Sequence, residues 1–208
     1  SAIEKALDYA AVLSGTVIPD KVNTTTSAVY VPPGEYITNS TLVVKEGTRF
    51  CGAGKSVSIF KPKHTGVAIQ MGGDDREFSN VVVERIGVIG NFSGDSPYSY
   101  GGWTTTTTEG IYAKRCLRGC IIRDTMVVRC RRNYRIDNSY GFHVLENYGT
   151  YALDNTLPSN NLTAATVRNN RFDWAEQRNL YIENAALSSE ESIGLLIEGN
   201  AIQISWED

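Results

Sequence analysis

The feature that most constrains the fold of this chain is an internal repeat. An aliphatic residue followed three positions later by asparagine occurs at Val144…Asn147, Val167…Asn170 and Ile197…Asn200. Val83 and Ile122 hold the same place in two earlier copies that lack the asparagine. The steps between successive copies are 39, 22, 23 and 30 residues. A period near 22 residues, lengthened by insertions, predicts a stacked repeat architecture.

A second repeat runs in step with the first. It consists of short strand-like segments at residues 110–113, 133–136, 150–153 and 179–182. Stacking such units buries alternate aliphatic side chains in one column, which predicts an all-β parallel β-solenoid. The recurring asparagine is predicted to lie in a left-handed turn and to hydrogen-bond from coil to coil. A β-sandwich is the competing architecture, but it does not explain a step shared by two motifs.

The remaining sequence fits one β-solenoid domain over residues 1–208. Residues 1–14 carry a helical period and are predicted to form a helix that caps the first coil. Residues 28–208 are predicted to form the coils, with further coils expected after Asp208. The net charge of −3 argues against binding to nucleic acid or to an anionic membrane surface. No export signal is visible, and the apolar runs are too short to span a bilayer.

Cysteine spacing argues against a metal site. Cys116, Cys120 and Cys130 lack the paired spacing of a zinc site, and Cys51 lies far from them in the sequence. Buried free thiols are the predicted state, and no metal or cofactor is expected.

Acidic residues recur at one position of the strand repeat. The aligned residues that follow an inward aliphatic are Gln70, Lys114, Asp137, Asp154 and Glu183, and the residues two places earlier include Tyr112, Arg135 and Tyr181. Strand alternation places both sets on one solvent face. With coils about 4.8 Å apart, Asp137 and Asp154 are predicted to lie roughly 5 Å apart, and Asp137 and Glu183 roughly 9.6 Å apart. The first separation is close to that of retaining glycosidases, and the second lies at the upper edge of the inverting range.

Two alternatives to this acid column stay open. Stacked acids on a solenoid are commonly turn or solubility residues. In addition, only 6 residues separate Asn147 from Leu153, whereas 11 and 12 separate the equivalent residues in neighbouring repeats. This difference leaves open whether Asp154 belongs to a different strand of its coil.

Two further segments are candidates for sugar binding. The insertion at residues 91–109 carries Asp95 and Trp103 and enters the first-strand face just before Gly110. The alternative is a loop or subunit contact without a binding role. Trp174, between two nearby acids, is a candidate contact in a third strand of its coil. Aromatic side chains on loops of a rigid scaffold commonly carry recognition.

The first part of the chain resembles a known superfamily. A helix over residues 2–7, the segment AVYVPPGEY at 28–36 and the segment TRFCGAG at 48–54 resemble the pectate-lyase-like right-handed single-stranded parallel β-helix proteins. Within this superfamily, the chain resembles phage tailspikes and bacterial polysaccharide depolymerases. The chain lacks the Gly-His-Gly, Asn-Thr-Asp and Asp-Pro-His signatures of related enzymes.

The resemblance implies a function only in outline. It implies a tailspike-like depolymerase that binds and cleaves a bacterial surface glycan, by hydrolysis with the acids or by lysis with Lys114 or Arg135 neutralising a uronate. It further implies a homotrimer located on a virion tail or otherwise outside the cell. The alternative is a non-catalytic adhesin, receptor-binding domain or structural appendage, because this fold hosts many activities.

Overall fold

The computed structural model is a right-handed parallel β-helix preceded by one helix, as the sequence predicts. It describes residues 1–14, 27–73, 77–92, 107, 109–152, 155–175, 178–183 and 194–205. Helix α1 (Ala2–Ser14) contacts the first coil of strands and buries Leu7 and Ala10 against it. The helix therefore caps the open end of the solenoid, where unpaired strand edges and core side chains would otherwise meet water.

Three parallel sheets, here called A, B and C, form the sides of the solenoid. Sheet A contains β1 (Ser27–Val31), β4 (Thr48–Gly52), β7 (Val82–Glu84), β10 (Ile121–Arg123), β13 (His143–Leu145), β16 (Thr166–Arg168) and β19 (Leu196–Glu198). Sheet B contains β2 (Gly34–Thr38), β5 (Ser58–Pro62), β8 (Gly87–Ile89), β11 (Met126–Val128), β14 (Tyr148–Thr150), β17 (Arg171–Ala175) and β20 (Ala201–Ser205). Sheet C contains β3 (Leu42–Val44), β6 (Ile69–Gly72), β9 (Glu109–Lys114), β12 (Arg132–Tyr140), β15 (Asn155–Thr163) and β18 (Arg178–Glu183).

The aliphatic repeat forms the inner column of sheet A. Strand pairing brings its members into register in the order Val83, Ile122, Val144, Val167 and Ile197, and Val29 and Phe50 extend the column into the first two coils. The side chains from Phe50 to Val167 are fully buried. The predicted solenoid and its core column are therefore confirmed. Cys116, Cys120 and Cys130 are also buried as predicted, whereas Cys51 is only partly buried.

The asparagines form the predicted ladder between coils. Nδ2 of Asn147 donates to Oδ1 of Asn170 at 3.0 Å, and Nδ2 of Asn170 donates to Oδ1 of Asn200 at 2.9 Å. Thr125 extends the ladder by donating its hydroxyl to Oδ1 of Asn147 at 2.8 Å. Because Asn147 and Asn170 are buried, these bonds satisfy polar groups that water cannot reach.

The left-handed turn lies one residue before the predicted position. The residues with positive φ are those immediately before the ladder: Glu146 (61°), Asn169 (56°) and Gly199 (61°). The ladder asparagines themselves are not left-handed. The preceding residue takes up the turn, so that the asparagine side chain can point inward and meet its neighbours on the next coils.

Candidate active site on the outer face of sheet C

Sheet C carries six of the residues predicted from the sequence. Strand pairing aligns Lys114 with Asp137, and Asp137 with Glu183 through the intervening strand β15. Two residues earlier, the same pairing aligns Tyr112 with Arg135, and Tyr181 lies two strands beyond Arg135. These six residues therefore occupy two neighbouring rows of one sheet, as the sequence pattern predicts.

The register removes Asp154 from the predicted acid column. Asn160 pairs with both Asp137 and Glu183, and so occupies the position assigned to Asp154. Asp154 itself lies outside the described residues, just before β15 begins. The segment that suggested its position is not a strand of sheet C, because Thr150 ends β14 and Tyr151 has a φ of 51°. The predicted adjacency of Asp137 and Asp154 is wrong, and Gln70 is displaced in the same way, since it pairs with Tyr112.

Of the other predicted contacts, Asp95 and Trp103 lie outside the described residues, so their role in sugar binding stays a prediction. Trp174 lies on β17 in sheet B, on a different side of the solenoid from Asp137.

Asp137 is the centre of a polar network. The Tyr112 hydroxyl donates to its Oδ2 at 2.9 Å, and a terminal nitrogen of Arg135 lies 2.8 Å from the same oxygen. The Arg135 guanidinium also lies over the Tyr112 ring, 5.1 Å from its centroid. Only 8% of the Asp137 side chain is exposed. These contacts fix the carboxylate at the edge of the face and cover one side of the tyrosine ring.

A second carboxylate, Glu109, completes the network. It forms an ion pair with Arg132 and a longer contact of 3.3 Å with Arg135, so that Arg135 bridges Glu109 and Asp137. Burial opposes the charge on Arg135, but hydrogen bonds to Asp137 and Glu109 and the attraction of Asp137 and Tyr112 together outweigh it and raise the pKa of the guanidinium. Glu109 and Arg132 are not among the site residues predicted from the sequence. The signal that could have found them is the step of 23 residues between them, which is the coil period.

A groove lies beside this network. It has a volume of about 460 Å³ and is lined by Glu77, Lys114, Arg115 and Asn138. Arg115 and Asn138 are both left-handed, with φ of 52° and 49°, because the chain turns at this point in successive coils. Lys114 connects the groove to the network, since its strand neighbour is Asp137. The face thus combines fixed carboxylates, aromatic rings and a concave surface with cationic side chains.

The described part of the chain shows neither a metal-binding cluster nor a membrane-spanning helix. Within it, no three or more His, Cys, Asp or Glu side chains cluster in a way that could hold a metal ion. In the same residues, no helix has the length and apolar character needed to cross a bilayer.

The stacked coils and their polar face define a protein of the pectate-lyase-like β-helix class. A family model described as "Rhamnogalacturonase A/epimerase, pectate lyase-like" matches residues 1–203, and the chain belongs to this family. The resemblance found in the first coils is thereby confirmed over nearly the whole chain, and the family is one of polysaccharide-active proteins. No curated protein matches the chain in sequence.

Solved structures share the fold at low sequence identity. ORF18 of Geobacillus virus E2 aligns with a TM-score of 0.63 and 16% identity, covering 96% of this chain and 35% of that protein. DFA-IIIase from Arthrobacter chlorophenolicus A6, without its lid, aligns with a TM-score of 0.57 and 13% identity, covering 99% and 68% respectively. The catalytic domain of a GH87 alpha-1,3-glucanase in complex with nigerose aligns at 0.54 and 13%, covering 97% and 30%. The chain therefore spans about a third of the phage protein and of the glucanase.

Proposed function

We propose that this protein cleaves a bacterial surface polysaccharide on the outer face of sheet C, as a tailspike-like hydrolase. The observation that carries the proposal is the alignment of Asp137 and Glu183 in one row, two strands apart. Membership of a polysaccharide-active family supports a glycan substrate. The phage and glycoside hydrolase structures that share the fold support the same class.

The spacing of the two acids favours inversion at the anomeric carbon. Two strand spacings amount to about 9.6 Å between the backbones at these positions. Inverting enzymes hold their carboxyl groups roughly 6.5–9.5 Å apart, which leaves room for a water molecule. The register thus favours the inverting arrangement over the closer retaining one, for which the sequence had offered Asp154.

The contacts of Asp137 suggest the roles in the reaction. Arg135 and Tyr112 both donate to its Oδ2, an arrangement suited to a proton acceptor. In the proposed step, water attacks the anomeric carbon and its proton passes to Asp137. The glycosidic C–O bond breaks, and the leaving oxygen takes a proton from Glu183. Lys114, Tyr181 and the exposed parts of Tyr112 and Arg135 would contact the glycan.

The proposal is tested with two acid variants and a matched control. Capsule and O-antigen polysaccharides are incubated with the wild type, Asp137→Asn, Glu183→Gln and Asp124→Asn, and chain shortening is measured. Asp124 is the control because it pairs with Lys55 at the surface, 2.8 Å away and outside sheet C. We expect both sheet C variants to lose activity about 100-fold or more, while the control retains it. NMR of the first product should show an inverted anomer, and wild-type rates in both acid variants would refute the assignment.

Lysis is the chemical alternative, and the groove lined by Lys114 and Arg115 favours it. A lyase uses a cation to neutralise a uronate carboxylate while a base removes the neighbouring proton. The same assay separates the two reactions, because lysis leaves an unsaturated, ultraviolet-absorbing product and hydrolysis does not. In that case Lys114→Met and Arg135→Met would abolish activity.

A non-catalytic glycan-binding or structural role is the second candidate. It is favoured by the engagement of both Asp137 and Glu109 with arginines, since ion-paired acids on a solenoid can be purely structural. Retention on one glycan without any shortening would support this role and overturn the hydrolase proposal.

Location on a virion and assembly into a trimer belong to the same proposal. The shared fold with a protein of Geobacillus virus E2 supports a phage tail or another extracellular position. Light scattering on the purified protein tests the trimer, with a mass of three times 22.9 kDa expected.

A further inference from the structure

A second cluster of aromatic and charged side chains lies on sheet B, away from the network around Asp137. This sheet B cluster consists of Tyr148, Tyr151, Arg171, Asp173 and Trp174, which belong to two successive coils. We infer that it is a binding subsite for a neutral sugar ring of a glycan. The inference goes beyond the proposed cleavage and does not depend on it.

Two rings of the cluster form a stacking platform. The centroids of the Tyr151 and Trp174 rings are 5.4 Å apart, with their planes inclined by 33°. Both residues are left-handed, with φ of 51° and 54°, and occupy the same turn in successive coils. The Trp174 side chain is 47% exposed although it is large and apolar. An exposed indole supported by a second ring suits the apolar face of a sugar.

Polar groups for hydroxyls lie directly beside the platform. Nε of Arg171 donates to Oδ2 of Asp173 at 2.9 Å, and the guanidinium lies over the Tyr148 ring, 5.7 Å from its centroid. These two contacts orient Arg171 while its side chain remains 58% exposed. The cluster therefore presents a fixed donor at the edge of the ring platform.

The cluster also contains an acceptor that lacks a hydrogen bond. Oδ1 of Asp173 is buried and has no hydrogen-bond partner in the described structure, although the side chain is only 2% exposed. An unsatisfied buried acceptor costs about 1–3 kcal/mol. Asp173 lies between the exposed Arg171 and Trp174 along β17. A sugar hydroxyl entering between these two side chains would supply the missing donor.

The charge of the cluster selects the kind of sugar. Arg171 and Asp173 neutralise each other, so the cluster has no excess positive charge for a carboxylate. A uronate would also meet the unsatisfied oxygen of Asp173, which repels it. The combination of a ring platform, a donor and an acceptor therefore fits a neutral pyranose with adjacent hydroxyls.

The inference is tested by NMR on the whole chain labelled with nitrogen-15. Methyl glycosides of glucose, galactose, mannose and rhamnose are titrated, with methyl galacturonate as the anionic probe. The indole resonance of Trp174 and the amide of Ala175 are followed. We expect saturable shifts with at least one neutral glycoside, with Kd on the order of 10 mM, as a single ring with few contacts should give.

Variants connect the shifts to the cluster. Trp174→Ala should weaken binding about tenfold or more, as read from the Ala175 amide, while Trp174→Phe should retain most of it. Asp173→Asn should also weaken it. The matched control is Tyr30→Ala, which removes an exposed ring from sheet A and should leave the titration unchanged. Asp137→Asn should bind normally, so that failure of cleavage and failure of this subsite are distinguishable.

Three outcomes of the titration would overturn the inference. They are the absence of a saturable shift with every neutral glycoside, a response to methyl galacturonate alone, and unchanged binding in Trp174→Ala. Loss of the Trp174 signal on concentrating the protein without sugar would show that a second copy of the chain covers the cluster, which would also overturn it.

Discussion

Sheets A and C each bury a carboxylate that is paired with arginine, but they do so in different ways. On sheet A, Nε of Arg49 donates a hydrogen bond to one carboxylate oxygen of Glu84 at 2.5 Å. Nε of Arg123 donates to the other oxygen at 3.1 Å. The Glu84 side chain is fully buried, and its two arginines come from the coils on either side. On sheet C, Arg135 and Tyr112 both bind one oxygen of Asp137, which remains slightly exposed.

The difference separates a structural pair from a candidate site. The Glu84 clamp satisfies both carboxylate oxygens and joins three coils, so it leaves nothing for a ligand. Asp137 shares its arginine with Glu109 and lies next to a groove through Lys114. Ion pairing alone therefore does not identify a functional carboxylate in a solenoid. A neighbouring groove is the feature that distinguishes Asp137 from Glu84.

The largest expected effect is on activity. Asp137→Asn should lower kcat on a cleaved glycan about 100-fold or more, because the variant lacks the proposed proton acceptor. Glu84→Gln should leave kcat unchanged when both are assayed well below their unfolding temperatures. Equal losses of kcat in the two variants would remove the distinction between the sheets.

The next largest effect is on stability, and here the Glu84 variant should be affected more than the Asp137 variant. Glu84→Gln should lower the free energy of unfolding by about 2 kcal/mol, because it leaves two arginines without their charged partner. The half-exposed guanidinium groups can be solvated again, which keeps the loss below that of a fully buried pair. Urea unfolding of the variant and the wild type measures the difference, and an unchanged midpoint would contradict the proposed clamp.

The pH dependence of stability should show the same clamp. Burial opposes ionisation of Glu84, but the hydrogen bonds from Arg123 and Arg49 and the attraction of their charges together outweigh it and lower its pKa. A lowered folded-state pKa contributes stability that is complete above the unfolded value of about 4.3 and is lost as pH falls through the folded value. The wild type should therefore lose its advantage over Glu84→Gln in acid. A difference that stays constant from neutral pH to acid would argue against this cause.

A smaller effect is expected for the phenol that orients Asp137. Tyr112→Phe removes one hydrogen bond to Oδ2 and keeps the ring under Arg135, so kcat should fall only about fivefold, equivalent to about 1 kcal/mol. Steady-state kinetics on the same glycan checks it. A loss as large as that of Asp137→Asn would give the phenol a direct role.

The smallest effect is expected for the exposed pair of Lys55 and Asp124. Asp124→Asn should change the free energy of unfolding by no more than about 0.5 kcal/mol, because surface ion pairs contribute little. Urea unfolding in low salt checks it. A loss of unfolding free energy comparable to that of Glu84→Gln would show that burial does not explain the difference in stability between the two ion pairs.

The fold was predictable because two periodic signals coincide. The inner column from Val83 to Ile197 keeps its step through insertions, since the loops leave the stack without altering its register. The acid row was predictable in part, because Lys114, Asp137 and Glu183 follow inward residues of true strands. Asp154 was misplaced because Tyr151 has a high strand propensity but takes up a left-handed turn.

The contacts within the site could not be predicted from local sequence. Glu109 and Arg132 are separated by a full coil, and nothing beside either residue in the sequence indicates its partner. Asp173 is similar, since its burial depends on how neighbouring coils pack and not on the residues around it in the strand. Cross-coil packing decides which stacked polar residues form pairs.

The asparagine ladder gives the solenoid a direction. In every link the carboxamide oxygen accepts from the preceding coil, and the amide nitrogens of Asn147, Asn170 and Asn200 also donate to the backbone carbonyls of Ile122, Val144 and Val167. The side-chain dipoles therefore add along the axis and polarise one another. Under a mechanical load along that axis, loss of the Asn170 side chain would remove its bonds to Asn147 and to Asn200 and leave the backbone N–H of residue 170 as the link to Asn200.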